Sequence, residues 1–126
     1  MRYENPALLP HAEVVAVLER ALADPSWELS AASALVGSAL YDDDREFVER
    51  CCALVADRAE SGNQLLGLAG LCLGHAARRF RALGGPSVAL AESLAARAEA
   101  DPSDVDGRAL DGLEDIEGAL GRSGAF

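Results

Sequence analysis

The chain has 126 residues, half of them hydrophobic, and a formal net charge of −10 at pH 7, a length that suits one domain and is short for two. All 11 basic residues are Arg, so Schiff-base lysines and the phosphate lysine of a Walker-type loop are excluded. The acidic balance removes the main electrostatic source of nonspecific nucleic-acid binding, while it keeps a small protein dissolved or suits a basic partner.

The composition favours helix. There are 25 Ala and 19 Leu against eight Val, one Ile and no Thr, which predicts an all-α protein. At the amino terminus, Glu4 and Pro6 arrive early and no apolar stretch of signal-peptide length follows, so a cytoplasmic location is expected. No segment approaches the roughly 20 apolar residues that span a bilayer, and no membrane association is expected.

Six helices are predicted in chain order. The first, 7–23, stops at Asp24, Pro25 and Ser26. The second, 27–41, opens on Trp27, the one tryptophan, which packs between helices or anchors a partner. An acidic joint of Tyr41, Asp42, Asp43, Asp44, Arg45 and Glu46 follows. One Asp there can cap the third helix, 44–60, and the following acids favour its dipole. The alternative is a docking site for a partner's Arg or Lys, with Tyr41 as aromatic anchor. Cys51 and Cys52 are adjacent and Cys72 stands apart, an arrangement that makes no secreted disulfide framework, so all three are expected reduced.

The fourth helix, 64–82, begins after Ser61, Gly62 and Asn63 and is apolar almost all round through Leu65, Leu66, Leu68, Leu71, Cys72 and Leu73. It is the predicted centre of the core. Its charges, Arg78, Arg79 and Arg81, complement the helix dipole, pair with carboxylates of a neighbouring unit, or hold an acidic ligand. After Gly84, Gly85 and Pro86 comes a fifth helix, 87–100, and after Asp101, Pro102 and Ser103 a sixth, 103–120. The sixth sets Val105, Ala109, Leu113, Ile116 and Leu120 on one stripe and Asp104, Arg108, Asp111 and Asp115 on another. From Asp101 onward seven acids face two arginines. Asp111, Glu114, Asp115 and Glu117 lie beyond the first turn, where the dipole gives them little, so a partner-facing acidic surface competes with plain solvation.

The breaks repeat. Asp-Pro-Ser occurs at 24 and 101, and Ser-Gly-Asn falls between them at 61. On that spacing Ala32, Ala69 and Ala109 coincide, as do Val36, Leu73 and Leu113, and Ser30, Gly67 and Gly107. The small residues recur where close helix contact is expected. Units of 37 to 40 residues, each a helix pair, predict a short HEAT-like α-solenoid of three pairs forming a single helical-repeat domain over residues 1–126. An irregular six-helix bundle with a chance Asp-Pro-Ser repeat is the alternative.

No catalytic constellation stands out. His11 and His75 are the only histidines, and neither has a second ligand at zinc-like spacing. Cys72 and His75 are neighbours on one helix face and could meet as nucleophile and base, yet thiols on apolar helices are usually inert core groups. The glycines do not form a phosphate loop after a strand. Neither a metal nor a cofactor is expected.

Two segments resemble small bacterial HEAT-like repeat proteins: the acidic joint continuing through Phe47, Val48, Glu49, Arg50 and Cys51, and the run from Gly67 to Arg78 with its Leu73, Gly74 step. Several proteins of that kind are thought to be immunity proteins that bind and neutralise a toxin of a competition system. The resemblance implies a non-catalytic module holding a basic toxin domain, and it brings no catalytic residues. The partner-binding candidates are Trp27, Tyr41, Asp42, Asp43, Asp44, His75, Arg78, Asp104, Asp111 and Asp115. A HEAT-like adaptor or scaffold subunit is the alternative, followed by a HEAT-like enzyme or cofactor-binding protein such as a DNA glycosylase or bilin lyase.

Overall fold

A computed structural model describes residues 8–121, and their regular structure is entirely helical: α1 (His11–Ala23), α2 (Glu28–Tyr41), α3 (Arg45–Arg58), α4 (Gln64–Phe80), α5 (Gly85–Ala100) and α6 (Arg108–Leu120). A single turn of 3₁₀ helix, Pro25–Trp27, leads into α2. Residues 1–7, which carry the amino-terminal reading and the expected first helical position Ala7, lie outside the described residues. Pro10 sets the observed start of α1, since its carbonyl accepts from the N–H groups of Glu13 and Val14.

The helices pack as three successive pairs. Along one layer α1 touches α3 and α3 touches α5, along the other α2 touches α4 and α4 touches α6, and the first pair does not reach the third among the described residues. As its sequence predicts, α4 is central: it packs on α2, α3, α5 and α6, and Leu65, Leu66, Ala69, Cys72, Leu73 and Ala76 are wholly buried. The core continues through Val14 and Leu18, Leu35 and Ala39, Val48 and Val55, Leu94, and Ala109 and Ile116, which is how pairs that cannot cover their own apolar faces form one interior.

The closest approach is between α4 and α6. Gly67 faces Asp106, Gly70 faces Ala109 and Gly74 faces Gly112, so the two helices run in parallel register. A Cβ on Gly70 would lie 3.0 Å from Ala109 Cα, and one on Gly74 2.8 Å from Gly112 Cα. The expected recurrence of small residues is therefore used at Gly67, whereas its counterpart Gly107 has open space beside it.

The two Asp-Pro-Ser turns fold alike. Asp24 Oδ1 accepts from Ser26 N–H at 3.0 Å and its hydroxyl at 2.8 Å, and Asp101 Oδ1 accepts from Ser103 N–H at 3.0 Å and its hydroxyl at 2.6 Å. These bonds favour the ionised carboxylates and hold both pKa values down. The chains then diverge: α2 starts directly behind its turn, whereas α6 starts at Arg108, five residues after the expected position, because residues 101–107 are held in irregular turns. Asp104 accepts two bonds from Arg97 (2.9 and 2.8 Å) and one from Ser61 Oγ (2.6 Å), and its carbonyl accepts from Gly62 N–H at 2.8 Å. Gly62 has φ 89°, a left-handed conformation that glycine adopts without a Cβ clash.

The Arg97 bonds, helped by Ser61, bring the Asp104 pKa to about 2 from 3.8. A carboxyl with a depressed folded-state value stabilises the fold above its unfolded pKa and loses that contribution as pH falls through the folded one. Asp104→Asn should therefore remove part of the acid transition between about pH 4 and 2 followed by circular dichroism; an unchanged acid limb would show the pair to be without effect.

Candidate docking surface at the helix ends

Because α2, α4 and α6 run in the same direction, the ends of all three gather at one edge of the stack. Arg79 reaches from α4 to the end of α2, where its Nη1 donates to the carbonyls of Ala39 (2.9 Å) and Asp42 (2.8 Å), and its Nη2 lies 3.6 Å from Asp43. Arg78 points the other way, 3.7 Å from Asp115 of α6. The expectation that these arginines pair with neighbouring units is met on both sides, with backbone carbonyls as the stronger partners of Arg79. Arg81 ends α4 at φ 53° and makes no ion pair among the described residues.

Between these elements lies an open cleft of about 620 Å³, lined by Leu40, His75, Arg78, Arg79, Arg81, Glu114 and Asp115. Burial lowers the pKa of the half-buried His75, against the pull of Asp115 and with the push of Arg78, so neutral imidazole is favoured at its wall. Beside it, residues 42–46 line an acidic depression of about 610 Å³. Arg79 of the cleft and Asp43 of the depression are the pair 3.6 Å apart. Tyr41 is 49% exposed at this edge, and Glu46 and Glu114 are exposed acids with no ion pair among the described residues.

Of the sequence candidates, the structure gathers Tyr41, Asp43, His75, Arg78 and Asp115 along this edge. Asp44 borders it as the N-cap of α3, accepting from Phe47 N–H at 3.0 Å. Asp42 is buried and bound internally: it accepts from His11 Nε2 at 2.8 Å and from Asp44 N–H at 2.8 Å, while the His11 ring stacks 3.6 Å from that of Phe47. Trp27 and Asp104 stand at the opposite edge, before α2 and α6. Trp27 is half-buried beneath the guanidinium of Arg20, 4.6 Å from its ring centre, and Asp104 is held by Arg97 and Ser61. Asp111 lies in the first turn of α6, away from the gathered ends.

Sequence reasoning missed Glu49. It projects from α3 to the start of α5, where Oε1 accepts from Gly84 N–H at 3.1 Å and from the Ser87 hydroxyl, while Oε2 lies 2.7 Å from Arg45 Nε. The spacing from Glu49 to Arg45 is a readable helical pair. Its reach to Gly84, 35 residues away, leaves no local signal.

The three thiols are buried. Desolvation pushes Cys51 and Cys72 up to about 12 and Cys52 up as well, which opposes thiolate chemistry at Cys72 beside His75. Native protein at pH 8 is expected to resist iodoacetamide, with all three thiols alkylated in urea; rapid native labelling of Cys72 would show it to be an accessible nucleophile. Among the described residues no group of three or more His, Cys, Asp or Glu is placed to hold a metal ion, and no helix is long and apolar enough to cross a membrane. Comparison with family models, characterised proteins and solved structures finds no match for the chain.

Proposed function

We propose that this protein is a non-catalytic, HEAT-like protein-binding module that acts in the cytoplasm, and that it serves as an immunity protein holding a basic toxin domain. The observation that carries the binding role is the edge at which exposed Tyr41 stands with the carboxylates of Asp43, Glu46, Glu114 and Asp115 around two adjoining hollows. An aromatic anchor beside the acidic hollow of residues 42–46 suits a partner's Arg or Lys, and the net charge of −10 steers a cationic surface toward the chain, while Arg78, Arg79 and Arg81 line the neighbouring cleft. The partner's guanidinium groups would take carboxylates now held only loosely, such as Asp43 at 3.6 Å from Arg79 and Asp115 at 3.7 Å from Arg78. The immunity role rests on the sequence resemblance, and the same edge serves an adaptor subunit equally well.

The test is a pull-down of tagged protein from its native host, washed at low and high salt, with Asp43→Arg and Asp115→Arg variants in parallel. A stoichiometric basic partner that leaves at high salt, is held about tenfold more weakly by the double variant and is toxic when expressed alone supports immunity. A partner with the same salt and variant behaviour but no toxicity supports the adaptor role. Undiminished capture by the double variant removes this edge from the interface.

A further inference from the structure

The opposite layer carries a second surface with its own logic. The outward stripe of α3 reads Glu46, Arg50, Ala53 and Asp57, all exposed and following the helical repeat. Beside it Leu54, Ala56 and Leu90 of α5 are half-exposed and line a shallow groove of about 720 Å³, with Arg50 at one end and Asp57 at the other. Among the described residues neither end is in an ion pair. Arg50 only leans toward the Phe47 ring, 5.8 Å from its centre, and Asp57 makes no ion pair among the described residues.

We propose that this face binds a second copy of the chain, with α3 packed antiparallel on its symmetry mate. The arrangement of charge selects that occupant. Arg50 and Asp57 lie seven residues, about 10 Å, apart on one face, and the midpoint between them falls at Ala53 and Leu54. A two-fold axis through that midpoint sets Arg50 of each copy against Asp57 of the other, giving two reciprocal ion pairs that flank an apolar centre. Ala53 at the axis lets the backbones approach, and each Leu54 enters the groove of the other copy. An isologous interface requires this self-complementarity, whereas an unrelated acidic or basic partner would match one end of the groove and oppose the other.

Sedimentation equilibrium on the whole chain tests the inference through charge exchange. The native protein should approach twice its 13.1 kDa mass as concentration rises. Arg50→Asp and Asp57→Arg, which set like charges together, should each weaken association at least about tenfold. An equimolar mixture of the two variants should re-associate as a heterodimer, and the double variant Arg50→Asp/Asp57→Arg should recover the native mass. Ala53→Glu, placed at the axis, should be monomeric while keeping the native circular dichroism spectrum. A native chain that stays monomeric at every soluble concentration, a dimer indifferent to the single reversals, or a double variant that fails to recover would each overturn the proposal.

Discussion

Gly112→Ala is expected to destabilise the protein by about 3 kcal/mol, the upper part of the usual range for overpacking, and to lower the urea midpoint accordingly. A Cβ at this position would fall within the van der Waals envelope of the Gly70 carbonyl and close to Leu71 N. Those neighbours are backbone, so relief requires α4 and α6 to separate as whole helices, and the buried residues along the seam separate with them. Gly118 is the internal comparison: it lies in the same helix with nothing within 4 Å of a new Cβ. Gly118→Ala should stabilise by about 0.5 to 1 kcal/mol through helix propensity. Equal effects at the two positions would show that α6 does not lie against α4 as described.

Glu49→Ala is expected to cost about 3 kcal/mol, because it leaves the N–H of Gly84 without its acceptor and the guanidinium of Arg45 without its counter-charge in a site where the Glu49 side chain is only 12% exposed. Glu49→Gln keeps the volume and an acceptor oxygen for Gly84 while losing the charge opposite Arg45, so its loss should be about half as large. Hydrogen exchange gives a positional check, since the Gly84 amide should lose protection in the alanine variant and retain most of it in the glutamine one. A Gly84 amide equally protected in both would mean that Glu49 does not cap α5.

The sequence shows the helices because each break has a local cause. Asp24, Asp44, Asn63 and Asp101 are side-chain caps or turn formers that act within two or three residues, and the apolar period between them is strong. Where local rules were ambiguous the boundaries moved. Pro86 fits the first turn of a helix as well as a break before one, and α5 begins at Gly85. The acids after Asp101 suit a helix start, yet Asp104 and Asp106 are drawn into bonds with Arg97, Ser61 and Arg108 that hold a turn instead.

The candidate site was legible only in part, and the missing portion is tertiary. Tyr41, Asp43, Arg78 and Asp115 are conspicuous as residue types, but nothing along the chain shows that α2, α4 and α6 end together. Asp42 is indistinguishable from Asp43 in the sequence. Its burial depends on His11, 31 residues away, as the environment of Glu49 depends on Gly84. Side chains that complete a distant helix end obey geometry that periodicity does not record.

These distant completions also determine how the protein comes apart. The end of α2 is closed by Arg79 from the second pair, the start of α5 by Glu49 from the second pair, and the turn before α6 is tied to Ser61 and Gly62. No pair therefore carries its full stability alone, and neighbouring units are coupled through these bonds. Fraying from either end would expose unsatisfied groups in the unit left behind, which favours concerted opening over stepwise loss. The expected kinetic signature is a single unfolding phase reported alike by Trp27 fluorescence in the first pair and by amide exchange in α6.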